Sequence, residues 1–83
     1  MQTITLIPTH KSLYIFDDGD EVTIYPNHIT CPEFIIGDMN SSNATIHTGV
    51  TIPEDWAGGK YFFDGTNWTV NESWVELEEE EYI

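Results

Sequence analysis

The stretch GGKYFFDGTNWTV, residues 58–70, decides the fold that the sequence predicts. Two aromatic-rich runs, 61–63 and 68–70, flank the dipeptide Asp64-Gly65. Aromatic and β-branched residues favour strands, and Gly supplies the positive φ angle that a tight hairpin turn requires. The stretch therefore predicts a β-hairpin. Because neighbouring residues of a strand point to opposite faces, at least one of its rings must pack into the core.

Short strand patterns separated by turn-forming residues recur along the rest of the chain. The further strand candidates are residues 2–7, 13–16, 21–25, 44–48 and 74–77. No segment keeps a helical apolar period for more than one turn, and turns recur every 8 to 12 residues or so, as in small all-β domains. We therefore predict a mainly β fold, a small antiparallel barrel or sandwich of six to seven short strands with at most a short helical turn.

Three local features refine this prediction. The run Asp17-Asp18-Gly19-Asp20 is a turn signal, and it predicts a second hairpin that joins 13–16 to 21–25. Residues 32–43 fit a strand, a turn or a short helix equally well. Residues 1–77 are predicted to form one small β domain, and 78–83 a flexible acidic tail in which like charges repel.

The size of the chain limits its interior. A domain of 83 residues buries only about 60 to 65% of the surface that its unfolded chain exposes. Three Trp, four Tyr and four Phe each remove about 150 to 250 Å² from water when buried. The composition therefore predicts an interior to which aromatic side chains contribute most of the buried area.

The charge balance is strongly acidic, with 15 Asp and Glu against 2 Lys and Arg and a formal net charge of −13. DNA, RNA and anionic membranes are bound through cations that neutralise phosphate, so this chain repels them. We predict no direct binding to nucleic acid or membranes. A basic protein is the partner that electrostatics favours, although such a charge also serves solubility alone.

The cellular compartment follows from Cys31 and the N-terminus. A single cysteine excludes an intrachain disulfide, and residues 1–7 have neither the basic segment nor the long apolar run of a secretory signal. The sequence predicts a protein that resides in the cytoplasm when it is made.

No motif specifies a reaction or a cofactor. The spacing His28-x-x-Cys31 offers one close pair of metal ligands, whereas structural zinc sites use two. The acidic run 17–21 departs from the EF-hand pattern, and the chain contains neither a nucleophile elbow nor a Gly-rich phosphate loop. We therefore predict a protein that is not an enzyme and binds no metal or cofactor.

The candidate partner-binding residues come from the aromatic and acidic clusters. Core packing is the commoner role for such rings, but Trp and Tyr are enriched where proteins meet when they are exposed. The candidates are Trp56, Tyr61, Trp68, Trp74, Asp17, Asp18, Asp20 and Glu21.

The hairpin sequence also resembles a known family. Residues 59–72, with an aromatic run before Gly65-Thr66-Asn67-Trp68, resemble the Gly/aromatic, Gly-Thr-x-Trp hairpin of bacteriophage tail-fibre assembly proteins and small tail-associated proteins, and residues 50–56 resemble the lead-in found there. The resemblance covers the last third of the chain. It implies a virion or tail-associated accessory protein that is made in the host bacterial cytoplasm, binds other virion proteins through a β edge and aromatic surface, and can form homo-oligomers.

Two alternatives follow from the same residues. A small acidic protein can mimic DNA and inhibit a basic host defence protein of the restriction or CRISPR type, with the turn 17–21 and the tail forming its acidic surface. A sugar-binding module is the other alternative, and it requires two or more coplanar exposed rings.

Overall fold

The computed structural model describes residues 1–74, which form eight β-strands and no α-helix. The strands are β1 (Gln2–Leu6), β2 (Ser12–Phe16), β3 (Thr23–Ile24), β4 (Ile29–Thr30), β5 (Ile35–Ile36), β6 (Ala44–His47), β7 (Tyr61–Phe63) and β8 (Trp68–Val70). They build three antiparallel sheets, with the orders β2-β1-β6, β3-β4-β5 and β7-β8. The predicted mainly β, antiparallel class is confirmed. The structure has eight strands where six to seven were predicted, and three of them, β3, β4 and β5, are only two residues long.

Two predictions concern the C-terminal residues, namely a strand at 74–77 and an acidic tail at 78–83. Trp74 lies outside the strands. The other residues of the predicted strand 74–77, and the predicted acidic tail 78–83, lie outside the described residues.

Strand β1 is the central strand of its sheet, and both of its faces are covered. Gln2, Thr3, Ile4 and Thr5 are consecutive and buried, which distinguishes β1 from a strand with one face in water. Ile4 packs into an aliphatic core with Ile29, Ile36, Met39 and Ala44. This core lies between the first two sheets, so the side chains of Thr3 and Thr5 project to the opposite face.

A chain of hydrogen bonds crosses that opposite face. The Thr3 hydroxyl donates to the Tyr14 carbonyl at 2.9 Å, and it lies 2.6 Å from the Ser12 hydroxyl. Since the carbonyl can only accept, the Ser12 hydroxyl donates to Thr3. The indole Nε1–H of Trp56 in turn donates to Ser12 Oγ at 2.9 Å. Each donor therefore has its acceptor, and β1, β2 and the segment before the C-terminal hairpin are joined.

The predicted C-terminal hairpin forms, and it is attached to the start of β2. Its strands β7 and β8 pair Tyr61 with Val70 and Phe63 with Trp68. The backbone N–H groups of Phe63 and Gly59 donate to the carbonyls of His10 and Ser12 at 2.8 and 2.9 Å. Phe63 is buried, which confirms that one ring of the hairpin enters the interior.

The predicted second hairpin is wrong. The turn itself exists, since the N–H of Asp20 donates to the carbonyl of Asp17 at 3.0 Å. However, β2 pairs with β1, and β3 pairs with β4. The physical reason is that Ile29 of β4 is fully buried in the aliphatic core, so core burial rather than the local turn selects the partner of β3.

The Asp17–Asp20 turn is held against β1 instead. The side-chain amide of Gln2, itself buried, donates to the carbonyls of Asp17 and Asp20 at 2.8 and 2.9 Å. Both carbonyls are thereby satisfied next to the sheet, and the carboxylates on the turn face outward, where Asp17 and Asp18 are exposed.

The structure also assigns residues 32–43, for which the sequence leaves three alternatives. Pro32 and Glu33 form the loop of a tight hairpin between β4 and β5, closed by a 2.8 Å bond from the N–H of Cys31 to the carbonyl of Phe34. Turns and loop follow until β6 begins at Ala44.

The most deeply buried residues differ from the aromatic-rich interior that composition predicts. Among residues 1–74, the buried hydrophobic side chains are aliphatic except for Phe63. Two-residue strands bring too few side chains together to enclose a large ring fully. The other rings therefore remain half-buried or exposed, and they shape the surface.

We predict that Ser12→Ala lowers the free energy of unfolding by about 1 to 3 kcal/mol, because the Trp56 indole N–H loses its acceptor and the Thr3 hydroxyl its donor. Urea unfolding measures the change. The matched control is Ser41→Ala at an exposed site, which should stay within about 0.5 kcal/mol of the wild type. Equal stabilities of the two variants would contradict the role of this hydrogen-bond chain.

Candidate functional site

A groove of about 580 Å³ lies between the segment 48–53 and the C-terminal hairpin. We call it the hairpin groove. The segment contributes all six of its residues, and the hairpin contributes Phe63, Gly65, Thr66 and Trp68. The rings of Phe63 and Trp68 lie 4.4 Å apart between centroids and are inclined by 32°. The groove thus combines two adjacent aromatic rings with threonine hydroxyls.

The hairpin turn that closes one end of the groove is built by Asp64 and Gly65. The Asp64 carboxylate accepts the backbone N–H groups of Thr66 and Asn67 at 2.8 and 2.7 Å, and Gly65 takes a φ angle of 105°. These bonds, first the one from Asn67 and then the one from Thr66, lower the pKa of Asp64. The turn prediction from Asp64-Gly65 is therefore confirmed, with the aspartate side chain as its brace.

The segment 48–53 is anchored to the N-terminus and to the acidic turn. The N–H of Val50 donates to the Met1 carbonyl at 2.9 Å, and the N–H of Gly49 donates to Asp18 at 3.1 Å. The Met1 ammonium also lies 2.9 Å from Asp18. The ammonium bond, followed by the Gly49 bond, lowers the pKa of Asp18. Asp18 is thus a structural residue at one wall of the groove.

The four acidic candidates lie on one turn but have different surroundings. Asp17 and Glu21 are exposed, and Asp18 binds the N-terminus. Asp20 accepts the backbone N–H of Asp17 at 3.2 Å and lines a second pocket together with Glu33. The structure therefore adds Glu33 to the acidic surface of the turn.

Three of the four aromatic candidates meet at the hairpin. The rings of Tyr61 and Trp68 lie 6.0 Å apart at 87°, and the ammonium of Lys60 lies 5.9 Å from the Tyr61 ring and 5.2 Å from the Trp74 ring. Trp56 is separate, since its indole N–H donates inward to Ser12. The perpendicular rings of Tyr61 and Trp68 do not form the flat platform that a sugar-binding module requires.

Asp55 fixes the base of the hairpin. It lies 2.9 Å from the Lys60 ammonium and accepts the Tyr61 hydroxyl at 2.6 Å. The hydrogen bond from Tyr61, and next that from Lys60, lower the pKa of Asp55, and the same contact with Asp55 raises the pKa of Tyr61. The Tyr61 hydroxyl is therefore committed to a contact within the chain.

Of the predicted pair of metal-ligand candidates, His28 contacts its neighbours in the chain and Cys31 is a half-buried free thiol. The His28 ring stacks on Tyr25 with centroids 4.7 Å apart, and its Nδ1 lies 2.6 Å from Asn27. Burial raises the pKa of the Cys31 thiol. Within residues 1–74, no three His, Cys, Asp or Glu side chains are grouped to hold a metal ion. In the same range, the structure has no helix that is long and apolar enough to cross a membrane.

Sequence reasoning missed two sets of surface residues. One is the segment 48–53, because the sequence assigns residue 48 to a strand candidate and residues 50–53 only to the lead-in of the hairpin motif. The other is the set of Phe16, Glu33 and Phe34, where Phe34 falls in the segment that the sequence left unassigned. Both sets become neighbours of the candidate residues only through tertiary packing, so no local signal identifies them.

Comparison with known proteins gives no further information on the site. No protein-family model matches the chain, and neither a curated protein nor a solved structure matches it. The resemblance of the hairpin to phage tail proteins therefore remains a prediction from its sequence.

We predict that the protein loses stability as the pH falls through the ordinary histidine range, because of His47. Its ring packs edge-on against Phe63 at 5.1 Å between centroids, and burial, followed by the nearby His10, lowers its pKa below the ordinary 6.5. The unfolded chain then takes up the proton more readily than the folded one, so the stability present above pH 6.5 decreases below it.

Urea unfolding between pH 7.5 and pH 5, together with an NMR titration of the His47 ring, tests this prediction. His47→Gln should flatten the dependence on pH in this range. A His47 pKa at or above its ordinary value would contradict the prediction.

Proposed function

We propose that this protein is a non-enzymatic, bacteriophage-type virion or tail-associated accessory protein that acts through protein–protein contacts. One observation carries the proposal. The Gly65-Thr66-x-Trp68 motif, on which the resemblance to phage tail proteins rests, supplies three residues that line the hairpin groove. The part of the sequence that suggests the family thus coincides with a groove of about 580 Å³ on the surface.

The groove suits an extended segment of a partner protein. The half-buried Trp68 and Ile52 offer apolar contact area, and the threonines of the groove offer hydrogen-bonding groups, a combination that recurs at protein interfaces. Trp side chains contribute strongly to binding energy when a partner covers them. Within residues 1–74, β8 pairs only with β7, and Val70 on this edge is 51% exposed.

The edge of β8 that has no partner strand within residues 1–74 also supports the proposed self-association. A second strand can add to an exposed edge through backbone hydrogen bonds. A second copy of the chain or a virion protein can supply that strand, and the proposal includes both kinds of contact.

Incorporation into virions tests the proposal. We predict that the wild-type protein co-purifies with phage particles or assembly intermediates, and that Thr51→Glu reduces its incorporation by introducing a charge into the groove. Ser42→Glu is the matched control, because Ser42 is exposed, does not line the groove and lies outside β8.

The controls make the outcome specific. Both variants add the same charge at an exposed residue with a hydroxyl side chain, so circular dichroism and urea unfolding should show equal folding. Absence of the wild-type protein from particles and intermediates would overturn the assignment to the virion. Equal incorporation of both variants would overturn the role of the groove.

A second candidate function is the inhibition of a basic host defence protein by DNA mimicry. The observation in its favour is that Asp20 and Glu33, from distant parts of the sequence, line one pocket next to the exposed Asp17 and Glu21. Folding therefore extends the acidic turn into a larger acidic surface. DNA presents one phosphate per about 1.7 Å of helix axis, so a mimic needs such an extended array.

A pull-down from host lysate tests the second candidate. DNA mimicry predicts that the pull-down recovers a basic nucleic-acid-binding protein, and that salt or added DNA releases this protein from the chain. Recovery of no such protein, or binding that is insensitive to salt, would exclude the mimic.

A further inference from the structure

A second pocket, of about 190 Å³, lies away from the hairpin groove and combines aromatic and acidic side chains. We call it the aromatic–acidic pocket. Its lining residues are Phe16 at the end of β2, Asp20 on the following turn, and Pro32, Glu33 and Phe34 from the loop between β4 and β5. Pockets for whole small molecules usually measure about 300 to 1,000 Å³, so this one has the size for a single side chain.

The aromatic side of the pocket consists of the Phe16 and Phe34 rings, and part of it is exposed to solvent. The rings of Phe16 and Phe34 lie 6.1 Å apart, and Tyr14 packs on both, at 6.4 Å from Phe16 and 5.8 Å from Phe34. Phe34 is nevertheless 44% exposed, and its neighbour Ile35 is 65% exposed. Exposed apolar residues grouped in this way are typical of a surface that binds a partner.

The acidic side of the pocket, formed by Asp20 and Glu33, attracts a cation. Asp20 and Glu33 bring two carboxylates to a small pocket, and no Lys or Arg is among its lining residues. The only basic side chains of these types in the chain are Lys11 and Lys60. The Lys60 ammonium contacts Asp55 at the hairpin, and the backbone of Lys11 forms a β-bridge with Phe62 there. The charge of the pocket is thus complementary to a basic group from another molecule.

We propose that the aromatic–acidic pocket binds an arginine side chain of a basic partner protein. A planar guanidinium stacks on aromatic rings and donates several hydrogen bonds to carboxylates, so it satisfies both walls at once. A lysine ammonium is a more compact and more strongly hydrated charge, which makes it the weaker ligand here. The inference rests on the proposed function of binding proteins and names the chemistry of the partner.

The pocket is preorganised by contacts within the chain. Gln2 donates to the carbonyls of Asp17 and Asp20, and the bond between Cys31 and Phe34 fixes the loop that presents Glu33. Both walls are therefore in place before a ligand arrives. Preorganisation of this kind reduces the conformational entropy lost on binding.

An NMR titration of the full chain with the peptide acetyl-Gly-Arg-Gly-amide tests the proposal. We expect shifts that are largest at Phe16, Asp20, Glu33 and Phe34. The isosteric citrulline peptide, which lacks the charge, should bind at least about 3-fold more weakly, and the lysine peptide should also bind more weakly than the arginine peptide.

Substitutions localise the site. Glu33→Gln and Phe34→Ala should each weaken the arginine peptide about 2- to 5-fold, which corresponds to one exposed ionic or cation–π contact. Glu54→Gln removes an exposed carboxylate outside the pocket and should leave the affinity unchanged, as should Ile7→Ala, which removes exposed apolar surface elsewhere. Amide spectra of the variants establish that each is folded.

Three results would overturn the proposal. Equal binding of the arginine and citrulline peptides would exclude a cation site, and equal binding of the lysine peptide would exclude guanidinium recognition. If Glu33→Gln and Glu54→Gln lower the affinity for the arginine peptide equally, the peptide is attracted only by the overall negative charge of the protein. If the protein binds the arginine peptide but is absent from virions, the pocket proposal holds and the virion assignment fails. If the protein is incorporated into virions but does not bind the peptide, the virion assignment holds and the pocket proposal fails.

Discussion

The burial of β1 on both faces is the constraint on which the rest of the structure depends. One face supplies Ile4 to the aliphatic core beneath the second sheet. The other carries Thr3, whose hydroxyl is covered and therefore needs hydrogen-bond partners. Ser12 and Trp56 complete that chain of bonds. A strand placed in this way connects its own sheet to the second sheet and, through Ser12 of β2, to Trp56 before the hairpin, although five of the eight strands have no more than three residues.

The same strand relates the two candidate surfaces to each other. The residue before it, Met1, contacts Val50 and Asp18 and so anchors one wall of the hairpin groove. Its first residue, Gln2, holds the acidic turn that contributes Asp20 to the aromatic–acidic pocket. The two candidate surfaces are thus supported by Met1 and Gln2, which are adjacent in the sequence. Such an arrangement presents both surfaces without the need for a large core, which a chain of 83 residues lacks.

The sequence predicts those parts of this structure that depend on local interactions. The hairpin around Asp64-Gly65 forms because turn chemistry and strand propensity agree there. The pairing of β3 was mispredicted because a turn signal at residues 17–20 does not reveal which strand buries more apolar surface, and Ile29 decides that pairing. The aromatic–acidic pocket escapes prediction for a related reason, since Phe16 and Phe34 meet only after two sheets have packed.

The candidate residues also differ in whether their positions depend on local interactions or on tertiary contacts. Trp68 is predicted correctly to lie on the hairpin, because its position follows from strand pairing, and the structure then places it in the groove. The inward hydrogen bond of Trp56 and the contact of Asp18 with the N-terminus depend on residues 44 and 17 positions away. Sequence spacing carries no signal for such contacts, so aromatic or acidic character alone does not separate structural residues from exposed ones.

Because hydrogen bonds link the C-terminal hairpin to β2, and β2 to β1, we expect the hairpin and β1 to unfold as one cooperative unit. Native-state hydrogen exchange at increasing urea concentrations measures the free energy of opening at single amides. We predict that the amides of Phe63 and Gly59 converge with those of β1 on one opening reaction. Exchange of these hairpin amides through a separate opening, with a lower free energy and no dependence on urea, would contradict it.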